Sequence, residues 1–224
     1  MAHRKLGYRF ENDWEKERLE QRAIPHYRTV QTIPVNTEIQ VDTHVLNLDK
    51  AKQILRKAHT ISVMDCMCRA AQGHCDAPVN VCIDMNQVAE RNLAQGTARE
   101  ITFNEAVEIL ELTHRAGLVH MAMAHEDIYE PGVVNSICSC CSCCCTQLSG
   151  LLRYGLAAHV LKSDEIEVTD YDKCNLCGEC VDRCQFGARS IIDNSLVVDH
   201  DLCFGCGLCV SICPTNAITL VDKQ

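Results

Sequence analysis

The last quarter of the chain contains one cysteine pattern twice. Each copy reads Cys-x2-Cys-x2-Cys-x3-Cys, and the copies are offset by 29 residues (203 minus 174). The first copy contains Cys174, Cys177, Cys180 and Cys184, and the second contains Cys203, Cys206, Cys209 and Cys213. Two intervening residues let a tight loop aim three sulfurs at one compact cluster, so the spacing indicates four-iron cubanes.

The fourth cysteine of each copy is predicted to ligate the cluster of the other copy. It comes three residues after the third cysteine, at a helical turn, and points away from its own loop. The predicted ligand sets are Cys174, Cys177, Cys180 and Cys213 for one cluster, and Cys203, Cys206, Cys209 and Cys184 for the other. We expect Gly178, Gly205 and Gly207 to let the backbone wrap close to the clusters.

This duplicated pattern resembles the bacterial two-[4Fe-4S] ferredoxin domain. The resemblance implies a ferredoxin-like dicluster fold and electron transfer; a pair of zinc sites is the alternative for such cysteines. One position departs from the pattern, because Pro214 follows Cys213 whereas Gln185 follows Cys184. Gln185 keeps a backbone N–H that proline lacks, so we expect altered hydrogen bonding near one cluster and a difference between the two reduction potentials.

Length and composition predict an α+β chain with two cysteine-rich parts. The chain has 224 residues, of which 4% are aromatic and eighteen are cysteine, so inorganic centres are expected to supplement the hydrophobic core. We predict an N-terminal extension over 1–28, a cysteine-rich mixed α/β domain over 29–160 and the ferredoxin-like domain over 161–224.

Charge and targeting signals limit the kinds of partner and the cellular location that we expect. The polar start shows no export signal and no apolar run is long enough to span a membrane, so we expect a cytoplasmic protein whose cysteines bind metal. The formal net charge is −9, and two oxidised cubanes would make it about −13. Such a charge disfavours nucleic acid and suits a redox partner with a basic docking surface.

Periodicity predicts several elements between the termini. A helix around Trp14 and extended segments over 29–46 are expected first. Three further helices (Asp49–Ala58, Val88–Gln95, Phe103–Ala116) and two strands (Ile61–Met64, Leu118–Ala124) follow. Thr102 and Glu105 form a capping box before the third of these helices. The last two helices are interpreted as a scaffold for the cysteines on either side of them.

Ten further cysteines lie upstream of the repeat. They are Cys66, Cys68, Cys75, Cys82, Cys138, Cys140, Cys141, Cys143, Cys144 and Cys145. Six of them fall within eight residues, and thiols this crowded converge in either a strand or a helix. We expect both segments to meet in space and to build at least one additional metal cluster. At Cys66 and Cys68, which are separated by one residue, we expect a turn or ligation of different irons.

The type and the exact ligands of this upstream site stay open. One or two further [4Fe-4S] clusters, a non-cubane iron–sulfur site, a zinc or copper thiolate site and a redox-active dithiol are the alternatives. His74, His120 and His125 are minor candidate ligands, since isolated histidines are usually solvated or structural. Arg69 is a candidate for neutralising cluster charge.

The upstream segments extend the resemblance. DCMCR…HCDAPVNVC and ICSCCSCCC, followed by a dicluster domain, resemble a group of uncharacterised 4Fe-4S proteins from anaerobic bacteria and archaea. Membership would imply electron transfer in anaerobic metabolism, as a carrier or as a subunit of a redox complex. The alternative is an iron–sulfur oxidoreductase that reduces a small molecule or thiol at the CSCCSCCC segment. A sensor or metal-storage protein is a third hypothesis, and we assign no catalytic residue.

Overall fold

The computed structural model describes residues 43–123, 134–154 and 160–223. The predicted extension over 1–28, with Trp14, and most of the extended stretch over 29–46 lie outside these ranges. In the described part of the chain, no helix is long and apolar enough to cross a membrane.

The upstream region is built on a seven-stranded sheet. Its strands are β1 (Thr43–Leu46), β2 (Ile61–Asp65), β3 (Asn80–Met85), β4 (Arg99–Glu100), β5 (Val119–Met123), β6 (Ser136–Cys140) and β7 (Val160–Leu161). Their order is β4-β2-β3-β6-β5-β1-β7. All neighbours pair antiparallel except β1 and β7, which are parallel.

Within the described residues, five helices accompany the sheet. They are α1 (Leu48–Leu55), α2 (Met67–Gln72), α3 (Asn86–Ala94), α4 (Phe103–Arg115) and α5 (Thr146–Tyr154). The predicted capping box of Thr102 and Glu105 is present at the start of α4. Helix α1 ends at Leu55, three residues before the predicted Ala58. Cys66 lies at the N-cap position of α2 without a side-chain capping hydrogen bond, so the turn expected there is the start of a helix.

The two faces of the sheet are covered differently. Side chains alternate along β6, so Ile137 faces an apolar core shared with α1 and α4. Cys138 and Cys140 face the opposite core, to which α5 contributes Leu148. Phe186 from the C-terminal region belongs to this second core as well. The ferredoxin-like region therefore packs on the face of the sheet that carries the cysteines.

The C-terminal region consists of two matching halves. Strands β8 (Glu165–Thr169) and β11 (Ile218–Asp222) pair antiparallel, as do β9 (Arg189–Ile192) and β10 (Ser195–Val198). Two short helices, α6 (Glu179–Arg183) and α7 (Leu208–Ile212), each follow a glycine in the left-handed conformation. This arrangement brings the two cysteine copies together.

Gly205 shows why one of these turns requires glycine. Its φ is +67°, and a Cβ atom would lie 2.0 Å from the carbonyl oxygen of Glu165 on β8. The predicted reason for glycine here was close approach of the backbone to a cluster, whereas the closest neighbour of a Cβ atom would be the backbone of β8.

Gln185 joins the ferredoxin-like region to the upstream cysteines. Its side chain is 1% exposed. The Oε1 atom accepts hydrogen bonds from the Ser142 hydroxyl at 2.6 Å and from the Ser142 backbone N–H at 3.3 Å. The Nε2 atom donates to the carbonyl oxygen of Gly117 at 2.8 Å. The residue that departs from the repeat thus fixes the loop between Cys141 and Cys143.

Replacing Gln185 tests this junction. We expect Gln185→Ala to lower the free energy of unfolding by about 2–4 kcal/mol, because buried groups lose hydrogen bonds in the folded state. Pro214→Ala is the matched control, since Pro214 occupies the equivalent position of the second copy and is exposed. Chemical denaturation under anaerobic conditions measures both changes, and equal effects would contradict the assigned role.

Candidate metal centres

Two cavities in the ferredoxin-like region are each lined by four of the predicted cysteines. The cavity that we call the first ferredoxin site has about 350 Å³ of empty space, partly open to solvent, and is lined by Cys174, Cys177, Cys180 and Cys213. The second ferredoxin site has about 380 Å³ and is lined by Cys184, Cys203, Cys206 and Cys209. The fourth cysteine of each copy therefore lies on the cavity of the other copy.

The chemistry of these cavities fits iron–sulfur clusters. Each offers four thiols around a central space, which is the ligand set of a [4Fe-4S] cluster. Burial raises the pKa of Cys209 to about 12 and also raises that of Cys206. These thiols need a nearby positive charge to ionise, and iron bound between them would supply it.

Arg189 connects the two ferredoxin sites. It is 4% exposed, donates a hydrogen bond to Cys180 Sγ at 3.5 Å and lines the second site. Its guanidinium also pairs with the buried carboxylate of Glu167. Arg189 was not predicted as a site residue; the only signal was a single cation at the start of β9, separated by Ser190 from the apolar pair Ile191 and Ile192. With clusters bound, this guanidinium would favour their more negative, reduced state, while the paired Glu167 carboxylate offsets part of its charge.

The upstream cysteines are gathered at one end of the seven-stranded sheet. Pairing of Ile83 with Ile137 puts Cys82 of β3 beside Cys138 of β6. The loop before β3 carries Cys75, and the turn after β6 carries the last four cysteines of the ICSCCSCCC segment. The expectation that both segments meet in space agrees with this arrangement. The ten thiols divide into two groups.

Four thiols form a compact set, here called the four-thiol group. Its members are Cys75, Cys141, Cys143 and Cys144, and all their Sγ atoms lie within 4.8 Å of one another. The Sγ atoms of Cys75 and Cys141 are 3.8 Å apart, those of Cys75 and Cys144 are 3.9 Å apart, and those of Cys143 and Cys144 are 3.8 Å apart. This group can hold a metal.

The remaining thiols form a more extended set, here called the six-thiol group. Its members are Cys66, Cys68, Cys82, Cys138, Cys140 and Cys145. Side-chain contacts run in a line from Cys66 to Cys82, then to Cys138, Cys140 and Cys145. Cys68 lies at the Cys145 end, with its Sγ 3.6 Å from Thr146 Oγ1.

Arg69 is the buried cation of the upstream centres. It is 2% exposed and donates hydrogen bonds to the carbonyl oxygens of Pro78 at 2.5 Å and Ser139 at 2.7 Å. Its Nη2 is 3.7 Å from Cys141 Sγ. The role predicted for Arg69, neutralising sulfur charge, therefore suits its position, and the same side chain also ties the loop before β3 to β6.

Hydrogen bonding lowers the pKa of some thiols in each group and raises that of others. The thiols of Cys143, Cys144 and Cys75 lower the pKa of Cys141, and Arg69 lowers it further. In the six-thiol group, hydrogen bonds from Cys140 and Cys82 lower the pKa of Cys138 to about 6. A bound metal would favour the thiolate form of the other sulfurs, because only the thiolate form of cysteine is a good metal ligand.

The described histidines have structural partners. His74 Nδ1 lies 2.9 Å from the carbonyl oxygen of Cys143, so that nitrogen supports the backbone of the turn. His120 stacks on His114 with ring centroids 5.7 Å apart, and its Nδ1 is 3.2 Å from Ser139 Oγ. Burial lowers the pKa of His120 to about 3, which keeps the ring neutral. The third histidine candidate, at position 125, lies outside the described residues.

The fold and the paired cavities define the C-terminal region as a ferredoxin-type domain for two clusters. In keeping with this class, residues 167–190 and 196–219 both match the family described as 4Fe-4S binding domain. The matches cover the two repeats and leave the upstream region unassigned. No curated protein matches the chain.

A pair of substitutions tests the crossed ligands. We expect Cys184→Ser to damage the cluster of the second ferredoxin site and to leave the cluster of its own cysteine copy intact, since its side chain lines the second cavity. Cys213→Ser is the mirror control and should damage the first site. EPR of each reduced variant, with the two cluster signals assigned separately, measures the loss. Damage confined to the copy that carries the substitution would refute the crossed assignment.

Proposed function

We propose that this protein transfers electrons through at least three iron–sulfur centres, as a carrier or as a subunit of a redox complex. Two centres are [4Fe-4S] clusters in the ferredoxin sites, with Cys174, Cys177, Cys180 and Cys213 as ligands of one and Cys184, Cys203, Cys206 and Cys209 as ligands of the other. The further centre is held by the six-thiol group. Iron–sulfur clusters take up and release single electrons, which suits a relay.

The observation that carries this proposal is the apolar core shared by two of the sites. Cys184 and Cys206 of the second ferredoxin site pack against the same core as Cys138, Cys140 and Cys145 of the six-thiol group. The two sets of sulfurs therefore approach each other through packed side chains. An electron could pass from the six-thiol group to the second ferredoxin site and on to the first.

The first ferredoxin site supplies the outer end of this path. Cys177 is exposed there, as are the acidic residues Asp172, Glu179 and Asp182 in the same cysteine segment. Residues 161–224 contain eleven acidic residues against five basic ones, so a net −6 of the chain's −9 lies in this region. This distribution supports a partner protein with a basic docking surface.

Ionic strength tests the partner proposal. We expect the association rate with a basic redox protein to fall by about tenfold or more between low and physiological salt, because screening removes electrostatic steering. Stopped-flow mixing of the reduced chain with such an acceptor measures the rate. A variant with Asp172, Glu179 and Asp182 changed to Asn, Gln and Asn should lose most of the salt dependence. A rate that is insensitive to salt would count against docking at this face.

A second candidate function is an iron–sulfur oxidoreductase at the six-thiol group. The observation that favours it is the number of sulfurs, since six thiols exceed the four that one cubane binds. The additional ligands suit a larger, non-cubane cluster that reduces a small molecule or a thiol compound. The wider resemblance to proteins of anaerobic metabolism is compatible with both candidates.

Protein-film voltammetry of the anaerobically isolated full chain tests the relay. We expect reversible waves from both ferredoxin clusters and from at least one further centre. Cys82→Ser should remove the further wave while both ferredoxin waves remain, because Cys82 belongs to the six-thiol group and lies outside both ferredoxin cavities. Two waves in the unmodified protein would contradict the three-centre proposal. A catalytic current with an added disulfide or small oxidant would favour the oxidoreductase.

A further inference from the structure

The sulfur spacing of the four-thiol group differs from that of the ferredoxin sites. Among the described residues, only the four-thiol group brings three or more potential metal-ligand atoms within 4.8 Å of one another. All eight ferredoxin cysteines are described, and neither of their sets satisfies this limit. In a cubane each cysteine binds a different iron, so the cluster core holds the cysteine sulfurs apart. The four-thiol group lacks that separation.

A single tetrahedral ion accounts for the spacing. Four sulfurs that each lie about 2.3 Å from one Zn²⁺ ion are separated by about 3.8 Å along the edges of the tetrahedron. The three recorded edges are 3.8 Å for Cys75–Cys141, 3.9 Å for Cys75–Cys144 and 3.8 Å for Cys143–Cys144. These three edges are close to those of a tetrahedron around one thiolate-bound ion, and all six edges lie within 4.8 Å.

We propose that Cys75, Cys141, Cys143 and Cys144 form a closed site for one Zn²⁺ ion. Tetrahedral coordination by four thiolates is typical of structural zinc sites, which leave no position for water or substrate. Three of the four sulfurs belong to buried residues. The zinc ion ties the loop before β3 to the turn after β6, and it carries no electrons because Zn²⁺ has no accessible second oxidation state.

The surroundings suit the charge of such a site. Four thiolates and one Zn²⁺ ion carry a net charge of about −2, which is costly to bury without a counter-charge. The guanidinium of Arg69 beside Cys141 offsets part of this charge. His74 is held to the carbonyl oxygen of Cys143 and supports the turn from outside the sulfur set. The ion would join the loop before β3 to the turn after β6, in addition to the strand pairing that already holds β3 beside β6.

This proposal is independent of electron transfer, because its ligands lie outside both ferredoxin cavities and outside the six-thiol group. Failure of one proposal would therefore leave the other standing. The two upstream groups also provide internal controls for each other, since a cysteine of one group can be changed while the other group keeps its full ligand set.

Metal analysis of the full chain tests the zinc site. The protein is isolated anaerobically from cells supplied with both zinc and iron, and its metals are counted by mass spectrometry. We expect about one zinc per chain. Cys75→Ser should reduce the zinc content by at least about tenfold with the iron content unchanged. Cys66→Ser is the matched control and should lower iron while zinc stays near one per chain.

X-ray absorption at the zinc edge keeps the test valid if either variant fails to fold. In the unmodified protein we expect a single shell of four sulfurs at about 2.3 Å and no neighbouring metal. Zinc with oxygen or nitrogen ligands would overturn the proposal, as would an unmodified protein without zinc. Loss of about four irons with Cys75→Ser would overturn it in favour of a cubane.

Discussion

The rest of this structure depends on one constraint: many cysteine sulfurs are buried close to one another. Cys141 and Cys144 are both 0% exposed, and their thiols lie among other thiols. As thiolates, such groups repel one another and are costly to bury unless a cation lies between them. The aromatic content of 4% leaves few large rings to build an apolar core. With metal bound, metal–sulfur bonds would supply cohesion that side-chain packing alone provides in other domains.

The fold places these sulfurs where several strands end. Strands β2 and β3 pair through Met64 and Cys82, and β3 pairs with β6 through Ile83 and Ile137. Cysteines that are far apart in the sequence therefore become neighbours on one sheet face. The ferredoxin-like region covers the same face, where Phe186 packs into the shared core and stacks on Phe204 with centroids 4.4 Å apart. The upstream thiols are consequently both buried and connected to the second ferredoxin site.

Local signals predicted the local features of the chain. The in-register cysteine spacing predicted two paired sites, and the capping box at Thr102 predicted the start of α4. The strand order depends on pairing between distant segments, which periodicity does not report. Strand β3 was missed for this reason and because the buried Asp84 near its end breaks the apolar pattern.

For a related reason, the sequence could not predict how the ten upstream thiols divide into two groups. Spacing alone leaves ten candidate ligands, and the turn over Ser142–Cys144 decides which sulfurs face Cys75 and which face β6. Gln185 shows a second feature that the sequence did not predict, which is the role of a side chain. The sequence pattern drew attention to its backbone N–H, whereas its side chain makes the contacts to Ser142 and Gly117 that join the two regions.

Mössbauer spectroscopy of the full chain, labelled with ⁵⁷Fe and isolated without oxygen, tests the central claim most directly. The account predicts more than about eight irons per chain, with the additional iron in a spectral component distinct from the two ferredoxin cubanes. This component should disappear in Cys82→Ser and persist in Cys75→Ser. Iron limited to about eight per chain, all of it in the two cubanes, would contradict an upstream iron–sulfur centre.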